Sequence, residues 1–444
     1  VIADVQLSET VSARFDQVFD SLQKWAPALF FGTKHAPPLT VKIDLPVRYI
    51  RVSLRGEKLL HVPRISVLSK GEELKLDPSG ISASSHYNPQ GLNLAELART
   101  RGKDILCDTP MVGIHTDLEE TPSLFIDVGQ VKSEASLKLW NRADECAWRN
   151  WCIVVESSVD GVDWIEQYDH EKLIAAVKYL LKQAKGNSLD PLLAAIAVVV
   201  EDCIFAYMEN GEIELSYISN VSERNGIPWR ATVENLNRRL FSGFELEITN
   251  HGLQRTFRYW PEHQKSDYVA YASAVIENLK GLSSNVCLGY GGVLSFVRGG
   301  ELMPHDDDLD ILLALDKTNF PTIPTALDAA SKFLRQRGYD VFGEMPSHRW
   351  VRVGPRSVVD LFVGLREHDH VSFFPGPRCE IKFEDLFPTM QVELHGRPIA
   401  VPRNPFNYLH SVYGPSWRKP DHTFSHAWDE TLFADIIGSG RTAA

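Results

Sequence analysis

Asp306, Asp307, Asp308 and Asp310 fall within five residues, and the apolar run ILLAL follows at once. Four acids against an apparent buried strand narrow the choice of folds more than any other feature of the chain. On an extended strand, alternate residues share a face. Asp306, Asp308 and Asp310 would then line one side at steps of roughly 6–7 Å, while Asp307, Leu309 and Ile311 turn away. Three carboxylates on one face resist joint ionisation. A divalent cation removes that conflict, and Mg²⁺ is a hard ion usually held by one or two carboxylates plus substrate phosphates. The plain alternative is a solvated acidic loop. A calcium loop of the EF-hand kind is excluded, because its glycine at position six and glutamate at position twelve are absent.

Two neighbouring features weigh against the solvated loop. SVVDLFVG reads as an apolar strand interrupted by one acid, Asp360. Such an acid is costly unless it is paired or bound to metal, so a second strand is expected to bring Asp360 to the same ion. Upstream stand Gly289, Gly291 and Gly292, which let backbone approach a phosphate closely. Arg298, between the glycines and the acids, suits a phosphate oxygen. The implied class is phosphoryl or nucleotidyl transfer with charge neutralised by a metal. Arg349 and Arg352 read either as pocket cations or as surface residues. Lys382 reads as a phosphate contact or a structural lysine. Tyr413 and Trp417 read as packing against a base or ribose, or as core.

At 444 residues the chain predicts two or three domains. A net charge of −12 argues against a broad nucleic-acid face. The six cysteines show no metal spacing and read as free buried thiols. No run reaches the roughly 18 apolar residues of a membrane span; LLAAIAVVV suits a buried helix. The reading is a chain without a transmembrane segment, cytoplasmic and peripheral to the inner face of the membrane.

Hydrophobic period divides the chain. Residues 1–40 carry a helical pattern. Residues 41–168 alternate short β-rich runs with turn clusters (VRYIRVSL, RISVLSK, SLFIDVG, ASLKLWN, NWCIVVESS, DWIEQY), the rhythm of an antiparallel sandwich. Residues 169–262 are helical and then mixed, with HEKLIAAVKYLLKQAK and PLLAAIAVVVEDCIFAYM as helices and Asp190-Pro191 as a helix start. Residues 263–444 form the last domain: a helix from 265, the aspartates, a helix near 325–337 and a strand near 357–363. The expected fold is multidomain α+β: an antiparallel β-sandwich of jelly-roll type, a helical middle and an α/β domain with a mixed sheet.

GYGGVLSFVRGGELMPHDDDLDI resembles the LicD/fukutin phosphotransferases, a branch of the polymerase-β-like nucleotidyltransferase superfamily. Gly291, Gly292, Arg298, Pro304, Asp306, Asp308 and Asp310 match the family's glycine turn, arginine and Asp-x-Asp-x-Asp run. Asp360 matches its later strand aspartate, and Pro388, Pro402, Tyr413, Gly414 and Trp417 its closing elements. His305 stands where the family usually has Trp. The likeness covers about residues 265–420. It implies transfer of phosphocholine, ribitol phosphate, glycerol phosphate or a similar group from a CDP-activated alcohol to a glycan hydroxyl, with release of CMP. Asp306, Asp308, Asp310 and Asp360 would bind Mg²⁺ or Mn²⁺ and one would take the acceptor proton. Gly291, Gly292, Arg298 and Lys382 would hold the donor. A bacterial capsule, lipopolysaccharide or teichoic-type polymer is the implied acceptor.

Residues 41–168 resemble a second family, the discoidin-like galactose-binding sandwich. The likeness rests on Asp127, Gly129, Asn141, Arg142, Ser158, Asp160, Gly161 and Trp164, which read as turns, a strand pairing and a core indole. RYIRVSL usually closes that fold but comes first here, as in a circular permutation. The implied role is glycan binding, or packing. Two competing readings of the whole stay open: a glycan-binding protein with an inactive transferase domain, and a nucleotidyltransferase acting on a small molecule.

Overall fold

The computed structural model describes residues 2–22, 26–107, 112–352, 358–421, 424, 426 and 429–437. The chain divides into two compact units, Val1–Phe244 and Glu245–Ala444. Both mix helix and sheet.

The first unit holds two antiparallel sheets. One has four strands, in the order Leu39–Ile43, Ala135–Trp140, Arg64–Ser69 and Glu72–Glu73. The other has five, in the order Ile165–Asp169, Ile153–Ser158, Val47–Leu54, Ser123–Lys132 and Ile81–Ala83. Alternation drives them: LTVKI and ASLKLW bury every second side chain. Val41 and Leu137 from one sheet, and Ile50, Leu124 and Val155 from the other, belong to one buried core. VRYIRVSL sits between Ser123–Lys132 and Ile153–Ser158, a central place rather than an edge.

Helices complete this unit. Ile2–Leu22 packs against His170–Lys185, Pro191–Asn210 and Trp229–Arg239. Asp169 caps the second of these four, accepting from the amides of Glu171 and Lys172, and Asp190 caps the third with Pro191 behind it. The expectation that nothing reaches span length needs correcting. Pro191–Asn210 is long and apolar enough to cross a membrane, with mean hydropathy 1.9, and half of that stretch is buried in the unit. Glu201 and Asp202 interrupt the apolar run without lowering its average below that of a span. The free-thiol reading stands for all six cysteines, but only Cys203 and Cys287 are buried.

Two readings of the sandwich also change. Trp164 is half-buried beneath the Arg51 guanidinium, 4.3 Å from its ring, and is not a core indole. Arg142 donates to the His61 ring at 2.7 Å as well as to Asp144, and is more than a turn residue.

The second unit is built on a mixed sheet. Its order is Val286–Leu288, Asp310–Asp316, Val358–Glu367, His348–Arg352 and Val341–Phe342, with His370–Ser372 and Ile381–Lys382 continuing from the far end of Val358–Glu367. Only Asp310–Asp316 against Val358–Glu367 is parallel. ILLAL and Val359–Leu365 are apolar because strands here are covered on both faces. Helices Glu262–Leu279 and Ile323–Arg335 contribute to the same core as these strands.

Candidate functional site

The parallel pairing decides the site. Asp310 is the register partner of Asp360, so two acids from separate strands stand side by side at the end of the sheet. Asp308 lies two residues earlier. Oxygens of Asp308, Asp310 and Asp360 all fall within 4.8 Å of one another. Tyr268, on helix Glu262–Leu279, holds the two strand starts. Its buried hydroxyl donates to the Val358 carbonyl at 2.6 Å and accepts from the Leu309 amide at 3.1 Å.

The strand expected over Asp306–Asp310 is shorter than that. Asp310 opens it, and residues 306–309 approach it unpaired in regular structure. The segment is tied instead to residues 257–258: Phe257 donates to the Asp306 carbonyl at 2.7 Å and Arg258 to that of Pro304 at 2.8 Å. Asp306 lies beside Asp308, Asp310 and Asp360 but is not one of the three whose oxygens converge. One of its oxygens accepts from the Asp307 amide at 3.1 Å. The other rests over Gly291, where an added Cβ would come within 2.4 Å of it.

The glycines do not form a turn before the strand. Val286–Leu288 ends at Gly289, and helix Tyr290–Arg298 begins there. Gly291 and Gly292 lie in its first turn. Gly291 admits the Asp306 carboxylate, and Gly292 packs on Leu288. Arg298 is at the opposite end of this helix. Its guanidinium donates to the Trp417 carbonyl at 2.5 Å and contacts Met303. Lys382 is exposed at the start of the short helix Phe383–Leu386. The fold therefore gathers Asp306, Asp308, Asp310, Asp360 and Gly291, and among the described residues Arg298 and Lys382 form no ion pair with these acids.

Burial and mutual repulsion raise the carboxyls. Asp306 and Asp310 lie well above the ordinary carboxylate range, first because of burial and then because of their acidic neighbours. Asp360 is pushed up to about 7 and Asp308 to about 6, burial again leading. Among the described residues no Lys or Arg forms a salt bridge to Asp306, Asp308, Asp310 or Asp360. A converging, oxygen-only set without a Lys or Arg partner among the described residues fits a hard divalent cation.

Two histidines beside the triad were not singled out in the sequence. His251, in the turn between strands Glu247–Thr249 and Gly252–Gln254, lies 3.1 Å from an Asp307 oxygen and 3.7 Å from Asp308. That contact and the surrounding acids raise its pKa to about 10. As a protonated imidazolium it is the counter-ion of Asp307, and a metal ligand only once that proton is lost. His348 sits 3.4 Å from Asp360 with Ser347 on its other nitrogen, and burial lowers its pKa to about 4. Tyr413 joins the site electrostatically: burial first, then Asp310, Asp306 and Asp308, raise its phenol. Trp417 is buried core. Arg352 is an exposed partner of Asp340, whereas Arg349 is buried and donates to the backbone carbonyls of Met345 and His348.

No curated protein matches the chain. Residues 284–404 match the family model described as LicD/FKTN/FKRP, nucleotidyltransferase domain, and that stretch contains Gly291, Arg298 and Asp306, Asp308, Asp310 and Asp360.

Proposed function

We propose that the second unit is a metal-dependent phosphotransferase that moves a phosphorylated alcohol from a CDP-activated donor to a glycan hydroxyl. The observation that supports this best is the Asp310–Asp360 register pair with Asp308 beside it, uncancelled by any Lys or Arg among the described residues, inside a LicD-type domain. Asp308, Asp310 and Asp360 would hold Mg²⁺ or Mn²⁺. When bound, that ion supplies charge neutralisation on the donor diphosphate.

The acceptor oxygen attacks the phosphorus that carries the alcohol, a new P–O bond forms, the bond to the CMP oxygen breaks and CMP leaves. The acceptor's proton passes to a carboxylate of the cluster. His348 and Tyr268 fix where Asp360 stands. Two antiparallel sheets around one core support a discoidin-like first unit. A cytidine-activated donor is consistent with action at the cytoplasmic face of a membrane.

The test is CMP release from CDP-choline, CDP-ribitol and CDP-glycerol with a polysaccharide extract as acceptor, in Mg²⁺ or EDTA. Metal-dependent CMP from one donor, absent in Asp310→Asn, supports the reading. Pyrophosphate release from a nucleoside triphosphate, with no CMP from any donor, would replace it with a small-molecule nucleotidyltransferase.

A further inference from the structure

The Asp360 carboxylate has an imidazole at its side, and that imidazole has a hydroxyl behind it. His348 Nε2 lies 3.4 Å from Asp360 Oδ2, and the Ser347 hydroxyl lies 2.8 Å from His348 Nδ1. Serine, imidazole and carboxylate follow one another in a chain.

The sheet builds that chain. His348–Arg352 runs antiparallel to Val358–Glu367, with Trp350 opposite Asp360 and His348 opposite Phe362. Asp360 and Phe362 share a face, so His348 is the diagonal neighbour of Asp360 on it. The imidazole packs against Phe362 at 5.0 Å and Trp350 at 5.3 Å between ring centres, which restrains its rotation. Arg349 steadies the backbone beside it, donating to the carbonyls of Met345 and His348. Ser347 is 8% exposed, and the side chains of His348 and Asp360 are each 13% exposed. A serine covered to that degree serves the ring rather than a substrate.

The placement of protons follows from the partners. Burial keeps the His348 ring neutral, so one nitrogen donates and the other accepts. An ionised Asp360 only accepts, which makes Nε2 the donor. Nδ1 then carries the lone pair, and the Ser347 O–H donates to it. Losing that hydroxyl removes the partner that favours this tautomer from the far side of the ring.

We propose that Ser347 is a positioning residue: through the tautomer and orientation of His348, it sets the direction in which Asp360 presents its carboxylate to a divalent cation. This rests on the reading of Asp308, Asp310 and Asp360 as a cation centre, and adds to it a residue that does not touch the ion. Outer partners of this kind change metal affinity by roughly 10–100-fold.

Two readouts on the full chain test it. One is calorimetric titration of Mn²⁺. The other is nitrogen-15 NMR of the imidazoles with Mg²⁺ present, the His348 signals being identified by their loss in His348→Leu. In wild type, His348 should show a protonated Nε2 and an unprotonated Nδ1. In Ser347→Ala, Mn²⁺ affinity should fall at least about ten-fold, and the two nitrogen shifts should move towards each other as the tautomers mix. His348→Leu should lose at least as much affinity. Should Ser347→Ala fail to fold, Ser347→Cys, close in volume but a weak donor, is read in its place. Either readout unmoved by loss of the hydroxyl, in a chain whose wild type binds Mn²⁺, overturns the proposal and leaves the cation centre standing. A wild type that binds no Mn²⁺ overturns both.

Discussion

At the scale of single residues, the site is a problem of charge. Asp310 and Asp360 were legible in the sequence because an acid inside an apolar run has few bland explanations. Their register was not, since nothing local says which residues of two parallel strands, fifty positions apart, face each other. His251 was illegible for a related reason: it comes from a hairpin turn in a stretch without clear hydrophobic period, and only the fold carries it to Asp307. Gly291 shows how a correct residue can carry a mistaken geometry. Two glycines argue against helix by about 1 kcal/mol each relative to Ala, yet close approach of Asp306 and Leu288 outweighs that preference. Gly291→Ala should therefore displace Asp306. The expected outcome is loss of most CMP release with a melting temperature within a few degrees of wild type, read by a coupled assay and calorimetry. Asp360→Asn should cut metal affinity and turnover by at least about 100-fold.

At the scale of elements, the sheet is fixed at both ends. Near the site, the Tyr268 hydroxyl ties Leu309 to Val358, the residues just before the two acids' strands engage. Tyr268→Phe leaves a buried amide and a carbonyl short of a partner, so a loss of about 1–3 kcal/mol in denaturant unfolding is expected. Metal affinity should weaken with it. At the far end, Arg378 joins Glu367, at the end of Val358–Glu367, to Asp435 on the helix Ala434–Ile437. Lys317 adds a 2.6 Å contact to Glu367. Hydrogen bonds from Arg378 and Lys317 outweigh burial and bring Glu367 down to about 2; Arg378 does the same for Asp435. Because these carboxyls bind protons less readily folded than unfolded, their stabilisation is complete above about pH 4.5 and is lost as the pH falls towards 2. Arg378→Met should lower stability at pH 7 by about 2 kcal/mol through the buried Glu367 contact. It should also flatten the acid limb of a stability–pH profile between pH 4.5 and 2.

At the scale of the molecule, the change from strand rhythm to helical period at residue 169 was visible, and the helices at 170–185 and 191–210 appear where the pattern put them. Less visible was that the N-terminal helix packs with those helices, because an amphipathic stripe does not name what it faces. If the aspartates hold a cation, Mg²⁺ should protect amides around 306–312 and 358–362 in hydrogen exchange.

The most direct measurement is titration of Mn²⁺ into the metal-free chain, with Asp307→Asn, Asp310→Asn and Asp360→Asn beside wild type. If Asp308, Asp310 and Asp360 form the cation centre, wild type and Asp307→Asn bind the ion tightly and the other two lose that binding. Undiminished binding in Asp310→Asn and Asp360→Asn, or none in wild type even with a CDP-alcohol present, would contradict it.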